Sequence, residues 1–207
     1  MKYTLLKRPR RQFLKGIGDR VSGLRGDFVE LGTWRGGSAK IVMESLLESH
    51  LENVPHCWLF DSFTGMPDPT EHDRIIDGKH ASEYKHLGMP DDDSKTYDIC
   101  CKYLSHVDYP KTHLHIIKGM FEDTFPVYEN EISEISILHV DCDWYDSVKQ
   151  SLNTFYDKTV IGGYIILDDY GTWDGARKAV DEFLLNRGLD NKILNRIDKT
   201  GYWFEKR

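Results

Sequence analysis

Residues 28–40 read FVELGTWRGGSAK, and this stretch decides the expected fold. The apolar run Phe28–Leu31 has the length of a buried strand, and the residues from Ser38 to about His50 have helical spacing. The loop between them, 32–38, is rich in glycine. A strand, a glycine-rich turn and a helix in this order are typical of the first unit of a parallel α/β sheet.

The glycine-rich loop has two interpretations. Glycines let a ligand approach the backbone closely, and the N-terminus of the following helix offers N–H groups to an anion. The spacing is not GxGxxG, however, and the loop lacks the Gly-Lys-Ser/Thr ending of a P-loop. Taken alone, it is therefore also compatible with an ordinary tight turn between a strand and a helix.

The rest of the chain continues to alternate strands and helices. The pattern predicts strands at 57–61, 113–117, 135–141 and 164–169, and helices at 10–24, 94–106, 145–156 and 173–186. Residues 192–197 and 201–205 are typical of a closing hairpin, which makes one strand antiparallel to the others. We expect a single domain over residues 1–207, with an N-terminal arm and helix at 1–25 and an irregular segment at 62–93 that is typical of a substrate lid.

The composition argues against several classes of protein. The 207 residues carry 27 Lys and Arg against 34 Asp and Glu, a net charge of −7, which argues against broad binding to nucleic-acid phosphates. No apolar run approaches the roughly 20 residues of a membrane helix, and the basic N-terminus lacks the features of a signal peptide. The 4 cysteines form no CxxC pair, so we expect reduced thiols in a cytoplasmic protein.

Acidic residues recur at the carboxyl ends of the predicted strands. The first strand ends at Glu30 and Gly32, the second at Asp61, and two later ones at Asp141 and at Asp168–Asp169. Because the carboxyl ends of parallel strands share one edge of a sheet, where ligands bind, we expect these side chains to converge. A carboxylate at the position of Asp61 can accept hydrogen bonds from both hydroxyls of a ribose.

The carboxylates of Asp141, Asp143, Asp168 and Asp169 predict a divalent cation. Carboxylates this close cannot all stay ionised without a compensating cation, and hard oxygen ligands favour Mg²⁺, Mn²⁺ or Ca²⁺ over zinc. The alternative is that Asp168 and Asp169 merely cap the next helix or turn.

Three other features receive a structural interpretation. His139 lies in an apolar strand and is interpreted as a packed core histidine. The basic run at 7–11 is interpreted as a solvated arm, with binding to a subunit or an acidic ligand as the alternative. Trp144 and Trp173 are assigned to core packing, with a part in lining the pocket as the alternative.

Taken together, the motifs resemble the macrocin O-methyltransferase family, class I S-adenosylmethionine enzymes that methylate sugar hydroxyls on antibiotics. The matching blocks occur in family order and cover nearly the whole chain: FVELGTWRGGSAK (28–40), WLFDSFTGMP (58–67), KGMFEDTFP (118–126), LHVDCDWYDSVKQSL (138–152), GGYIILDDYGTWDGARKAVDEF (162–183) and DKTGYWFEKR (198–207). The combination of the FDSF, DxDxYxS and DDYG motifs is the most specific part. One departure is Cys142, which stands where the family commonly has glycine.

The resemblance implies a Rossmann-like α/β fold with a seven-stranded, mostly parallel sheet, an antiparallel last strand and helices on both faces. It also implies S-adenosylmethionine as cofactor, Mg²⁺ (or Mn²⁺ or Ca²⁺) as metal, and a sugar hydroxyl as methyl acceptor. Asp141, Asp168 and Asp169 match the metal ligands, and Asp143 matches the general base. The residues that match the cofactor site are Glu30, Gly32, Thr33, Arg35, Gly36, Gly37, Ser38, Asp61, Ser62, Gly119, Phe121, Glu122, Asp123 and Asp141.

Several functions stay open at this point. The acceptor sugar could belong to a natural-product glycoside, a nucleotide-sugar or a polysaccharide. A catechol or another vicinal diol could replace the sugar, since it uses similar metal chemistry. A protein that binds S-adenosylmethionine without methyl transfer is a further alternative. An NAD-dependent oxidoreductase is disfavoured by the missing GxGxxG motif. The family also implies a homodimer or a larger homo-oligomer.

Overall fold

The computed structural model describes residues 2–49, 53–76, 78–83 and 95–207. Its strands are β1 Asp27–Leu31, β2 Cys57–Asp61, β3 Leu114–Lys118, β4 Ile135–Val140, β5 Thr159–Leu167, β6 Asn195–Arg196 and β7 Tyr202–Glu205. They form one seven-stranded sheet in the order β3-β2-β1-β4-β5-β7-β6. Strands β1 to β5 are parallel, whereas β7 runs antiparallel to both β5 and β6. The predicted sheet is confirmed.

Helices cover both faces of the sheet, as predicted. They are α1 Arg8–Lys15, α2 Ile17–Arg20, α3 Gly37–Glu48, α4 Thr96–Leu104, α5 Phe121–Tyr128, α6 Tyr145–Phe155 and α7 Asp174–Asn186, with 3-10 turns at Ala81–Glu83, Lys111–His113 and Asn191–Ile193. Alternate residues of β1 divide the core: Phe28 packs with α1 to α4, and Val29 and Leu31 pack with α5 to α7. The central strands are buried on both faces, which explains their continuous apolar runs.

The order of the strands places a crevice at the carboxyl end of β1. Because β2 and β4 flank β1 on opposite sides, the chain leaves β1 in one direction and later returns to its other side, which opens the sheet at the ends of these strands. Gly32 follows β1 with a φ of +95°, and a Cβ atom there would lie 1.8 Å from the carbonyl oxygen of Asp141. Only glycine therefore lets the ends of β1 and β4 come this close.

The predicted helix at 10–24 is wrong in its length, because Gly16 ends α1 and the short α2 follows. The break brings Gly18 against α3, where a Cβ atom would lie 2.2 Å from the carbonyl oxygen of Ser45. The hydroxyl of Ser45 donates to the carbonyl of Lys15 (2.7 Å) and accepts from the amide of Gly18 (2.9 Å). A side chain distant in sequence thus satisfies the backbone groups that the break exposes.

Other boundaries also differ from the prediction. Strand β5 begins at Thr159, before the predicted start at residue 164, and it includes Gly162–Gly163. The predicted strand at 192–197 is reduced to β6, because a 3-10 turn capped by Asp190 occupies its start. Helix α5 was not predicted, and Pro126 within it weakens its sequence signal.

Part of the segment predicted to form a substrate lid, residues 62–93, packs against the starts of α6 and α7. Asp73 is buried, and its carboxylate accepts from the amides of Thr70 (2.7 Å) and of Tyr145 at the start of α6 (2.8 Å). Ile75 also forms a bridge with Trp173, just before α7. Residues 62–76 therefore form a fixed wall beside the ends of α6 and α7. Residues 84–94, with the predicted helix start at Ser94, lie outside the described residues.

Within the described part of the chain, no helix is both long and apolar enough to cross a membrane.

The buried carboxylate of Asp73 predicts a large effect on stability. In Asp73→Ala, the amides of Thr70 and Tyr145 lose their acceptor, so we expect the free energy of unfolding to fall by about 3 kcal/mol. Urea denaturation measures this change. The control Asp68→Ala, on an exposed residue of the same loop, should stay within about 0.5 kcal/mol of wild type. Equal stability of the two variants would contradict the docked loop.

Candidate active site

A cleft of about 580 Å³ lies at the carboxyl ends of β1, β2, β4 and β5. The glycine-rich loop lines one part, and a group of carboxylates lines another. Apolar side chains form much of the remaining wall, namely Leu5, Leu6, Phe63, Met66, Pro67, Ile75, Met120, Phe121, Trp144 and Trp173. A cleft of this size with a few convergent polar groups is typical of a small-molecule site.

The glycine-rich loop presents polar atoms that fit a polar ligand. The hydroxyl of Thr33 and the indole N–H of Trp34 are buried without a hydrogen-bond partner among the described residues. Asp61 lies beside them, and its two carboxylate oxygens accept from the amides of Trp34 and Phe63, both at 2.7 Å. Asp61 therefore holds two loops together at the cleft, and its bond to Phe63 fits the alternative interpretation of Asp61 as a turn aspartate.

Most of the predicted cofactor residues line the cleft, but five do not. Those in the lining are Gly32, Thr33, Ser38, Asp61, Ser62, Gly119, Phe121, Glu122 and Asp141, and those outside it are Glu30, Arg35, Gly36, Gly37 and Asp123. The fully buried carboxylate of Glu30 faces His139. Gly37 packs on the N-terminal segment, where a Cβ atom would lie 2.3 Å from the carbonyl oxygen of Tyr3. Cofactor contact stays a prediction for all fourteen residues, and the nine in the lining are placed where such a contact is possible.

The structure brings together the four carboxylates predicted to converge. Asp141, Asp143, Asp168 and Asp169 all line the cleft. Burial and repulsion from Asp168 raise the pKa of Asp141 well above its usual value, and burial and repulsion from Asp143 do the same for Asp169. Burial raises the pKa of Asp143 to about 6, although a hydrogen bond from Trp173 opposes the rise.

His139 is a buried cation behind this group. It is fully enclosed, as predicted for a core histidine, but both ring nitrogens face carboxylates. Nδ1 lies 3.0 Å from Oε1 of Glu30, and Nε2 lies 3.8 Å from Oδ1 of Asp168. Burial alone would lower the pKa of His139, but its interactions with the carboxylates of Asp168 and Glu30 outweigh burial and raise the pKa to about 10.

Arg10 is a second buried cation, and its prediction as part of a solvated arm is wrong. It is 5% exposed and forms an ion pair with Asp168. Burial alone would raise the pKa of Asp168, but the interaction with His139 and the charge of Arg10 lower it. The spacing of Arg10 and Leu14, which are both buried on one face of α1, was the sequence signal that could have revealed this.

The carboxylates fit a divalent metal ion. Ligand atoms of His139, Asp141 and Asp168 lie within 4.8 Å of one another, and Oδ2 of Asp169 is buried without a hydrogen-bond partner among the described residues. The hard oxygens of Asp141 and Asp168 suit Mg²⁺ or Mn²⁺. Asp169 is not part of this group of close ligand atoms, so its role as a metal ligand stays a prediction. The carboxylates of Asp168 and Asp169 do not cap a helix, since α7 begins without a side-chain cap.

Asp143 is held in an uncommon conformation beside the other carboxylates. Its φ is +57°, in the left-handed region that most residues avoid. The indole N–H of Trp173 donates to its Oδ1 at 2.8 Å. Trp144 packs edge-to-face on Trp173 and donates to the carbonyl of Pro67 at 2.8 Å. Trp173 thus holds the side chain of Asp143, and Trp144 holds the backbone of the segment after β2, on one side of the cleft.

A family model described as Macrocin-O-methyltransferase (TylF) matches residues 1–206. The chain belongs to this family. The resemblance drawn from the sequence motifs is thereby confirmed, and the chain is an S-adenosylmethionine-dependent O-methyltransferase.

Relatives in the macrocin O-methyltransferase family support the assignment. The chain is 31% identical to demethyldecarbamoylnovobiocin O-methyltransferase of Streptomyces niveus over 190 residues, which cover 90% of this chain and 68% of the relative. It is 29% identical to 8-demethyl-8-(2,3-dimethoxy-alpha-L-rhamnosyl)-tetracenomycin-C 4'-O-methyltransferase of Streptomyces olivaceus, covering 88% of this chain and 67% of the relative. The solved structure of the O-methyltransferase NovP superposes with a TM-score of 0.79 at 25% identity, over 100% of this chain and 83% of NovP.

Two of the predicted cofactor residues differ in position, because Asp61 lines the cleft and Asp123 does not. We expect Asp61→Asn to weaken binding of S-adenosylmethionine by roughly tenfold or more, because an amide offers only one acceptor oxygen where Asp61 uses two. Asp123→Asn, on an exposed residue outside the lining, should bind the cofactor as wild type does. Isothermal titration calorimetry measures both affinities, and equal losses in the two variants would contradict the assignment.

Proposed function

We propose that this methyltransferase transfers a methyl group to a hydroxyl of a sugar-containing small molecule and depends on a divalent metal ion. The observation that supports the proposal is the convergence of four carboxylates in the same cleft as the glycine-rich loop. Asp141, Asp168 and Asp169 would hold the metal, and Asp143 would act as general base. Residues 1–207 would work as one methyltransferase domain.

The names of the relatives support a sugar acceptor. One acts on a rhamnosyl-tetracenomycin, and another is named mycinamicin III 3''-O-methyltransferase. The cleft has the features that such an acceptor needs. Met66, Pro67 and Phe121, which are at least partly exposed, offer apolar surfaces to a sugar ring, while the carboxylates of the cleft accept hydrogen bonds from its hydroxyls.

The chain's own residues orient the reactants and accept the proton. Bound S-adenosylmethionine supplies a methyl group already activated on a sulfonium, and a bound divalent cation lowers the pKa of the acceptor hydroxyl. The loop after β1 and Asp61 fix the position of the cofactor, and the aromatic walls limit access of water. With a pKa of about 6, Asp143 is mostly ionised at neutral pH. Because Trp173 occupies Oδ1 of Asp143, the other oxygen, Oδ2, accepts the proton of the acceptor hydroxyl.

A direct test measures transfer of labelled methyl from S-adenosylmethionine to p-nitrophenyl α-L-rhamnoside, in the presence of Mg²⁺ or of EDTA. We expect turnover with Mg²⁺ and none with EDTA. Asp168→Asn should lower turnover by roughly 100-fold and leave cofactor affinity unchanged, because Asp168 contacts the metal and not the cofactor. The control Asp108→Asn alters an exposed carboxylate outside the cleft lining and should match wild type.

Three results would contradict this proposal. Methylation of catechol in place of the rhamnoside would assign a different acceptor class. Equal turnover in the presence of EDTA would show that catalysis does not depend on a divalent metal ion. Cofactor binding without turnover on any hydroxyl acceptor would indicate a binding protein.

The indole N–H of Trp173 provides a separate prediction. Trp173→Phe keeps an aromatic ring but loses the hydrogen bond to Asp143, so we expect kcat to fall by roughly tenfold with little change in KM for the rhamnoside. The matched control is Trp144→Phe, which loses the bond to Pro67 and should raise KM with a smaller effect on kcat. Steady-state kinetics measures both parameters, and identical effects of the two substitutions would contradict a specific role of Trp173.

A further inference from the structure

Arg10 connects three parts of the chain that are distant in sequence. It lies on α1, and its Nη1 forms an ion pair with Oδ1 of Asp168 and donates to the backbone carbonyl of Asp168 at 2.9 Å. Its Nη2 donates to the hydroxyl of Thr200, and its Nε lies 3.2 Å from Oδ2 of Asp198. The guanidinium therefore links the N-terminal helix, the end of β5 and the turn before β7.

The turn before β7 is shaped to receive this guanidinium. Oδ1 of Asp198 accepts from the amides of Thr200 and Gly201, both at 2.9 Å, which closes the turn and leaves Oδ2 for Arg10. A Cβ atom on Gly201 would lie 2.8 Å from Cδ and Nε of Arg10. A glycine at position 201 therefore leaves room for the arginine side chain, and the contacts use the planar fork of donors that lysine lacks.

The contacts that described residues make with the carboxylate of Asp168 fall on one of its oxygens, Oδ1. Arg10 binds Oδ1, and Nε2 of His139 faces the same oxygen from the core. No hydrogen bond from a described residue falls on Oδ2. Because one oxygen is fixed and the backbone carbonyl is held by the same guanidinium, the carboxylate has a defined orientation with its second oxygen left for another partner.

We infer that Arg10 is a positioning residue that orients Asp168 as a metal ligand. Through Arg10, the N-terminal helix α1 contributes to the geometry of the metal site. The inference rests on the metal role of Asp168 proposed above. Groups behind a ligand commonly set its orientation, and their loss weakens metal binding by roughly 10–100-fold.

A role as a counter-charge alone predicts the opposite change in affinity. A positive charge next to the ligands repels a divalent cation, so its removal would tighten metal binding. Loss of orientation would weaken it. The direction of the change in metal affinity therefore separates the two roles.

The experiment titrates MnCl₂ alone into the purified full chain by calorimetry, and S-adenosylmethionine in a parallel titration. We expect Arg10→Gln to bind Mn²⁺ at least roughly tenfold more weakly than wild type, with cofactor affinity within about twofold. Arg10→Lys should also bind Mn²⁺ weakly, because it keeps the charge without the fork. Arg11→Gln, an exposed neighbour on α1, should match wild type.

A second variant preserves the test if loss of Arg10 impairs folding. Thr200→Val keeps the arginine and its charge but removes the acceptor of Nη2, so we expect a smaller loss of Mn²⁺ affinity in the same direction. Unchanged or tighter Mn²⁺ binding by a folded Arg10→Gln variant, or full affinity in Arg10→Lys, would overturn the inference. Absence of Mn²⁺ binding by wild type would instead overturn the metal site itself, and the role of Arg10 with it.

Discussion

Repulsion among buried carboxylates is the constraint on which this site depends. Asp141, Asp143, Asp168 and Asp169 meet in one cleft, and burial together with mutual repulsion raises the pKa values of Asp141 and Asp169. Among the described residues, His139 and Arg10 supply compensating positive charge, and both lie beside Asp168. A divalent cation would provide the rest, which is why a cluster that costs stability becomes useful for lowering the pKa of a hydroxyl.

The sheet produces this convergence because its strands end at one edge. Gly32 lets β1 and β4 end in contact, so that the glycine-rich loop lies directly beside Asp141. Asp61 then ties this loop to the segment after β2, and Asp73 ties that segment to the start of α6. The glycine-rich loop, the carboxylates and the segment after β2 are therefore held together by hydrogen bonds from backbone amides to the carboxylates of Asp61 and Asp73. Methyl transfer between two oriented reactants requires rigid support of this kind.

The sequence predicted the parts of the molecule that local pattern determines. Apolar runs located the central strands, and the residues that follow them located the four carboxylates, because strand direction fixes where a strand end lies. The burial of Arg10 was not predicted because its partners, Asp168 and Asp198, are far away in sequence. Without them, the basic run is typical of a solvated arm. The break at Gly16 depends on Ser45 in the same way. Gly36 and Gly37 belong to the family motif, but in the structure they pack against protein and do not line the cleft. The spacing of residues alone cannot distinguish a glycine that packs against protein from one that lines a ligand site.

The position of the metal tests the central claim most directly. Crystals grown with MnCl₂ and S-adenosylhomocysteine, measured near the manganese absorption edge, would locate the ion by its anomalous scattering. We expect one strong peak for a Mn²⁺ ion bound by oxygens of Asp141, Asp168 and Asp169, at roughly the 2.0–2.2 Å typical of small divalent cations with oxygen ligands. A peak elsewhere, or none at a concentration of Mn²⁺ that supports methyl transfer, would contradict it.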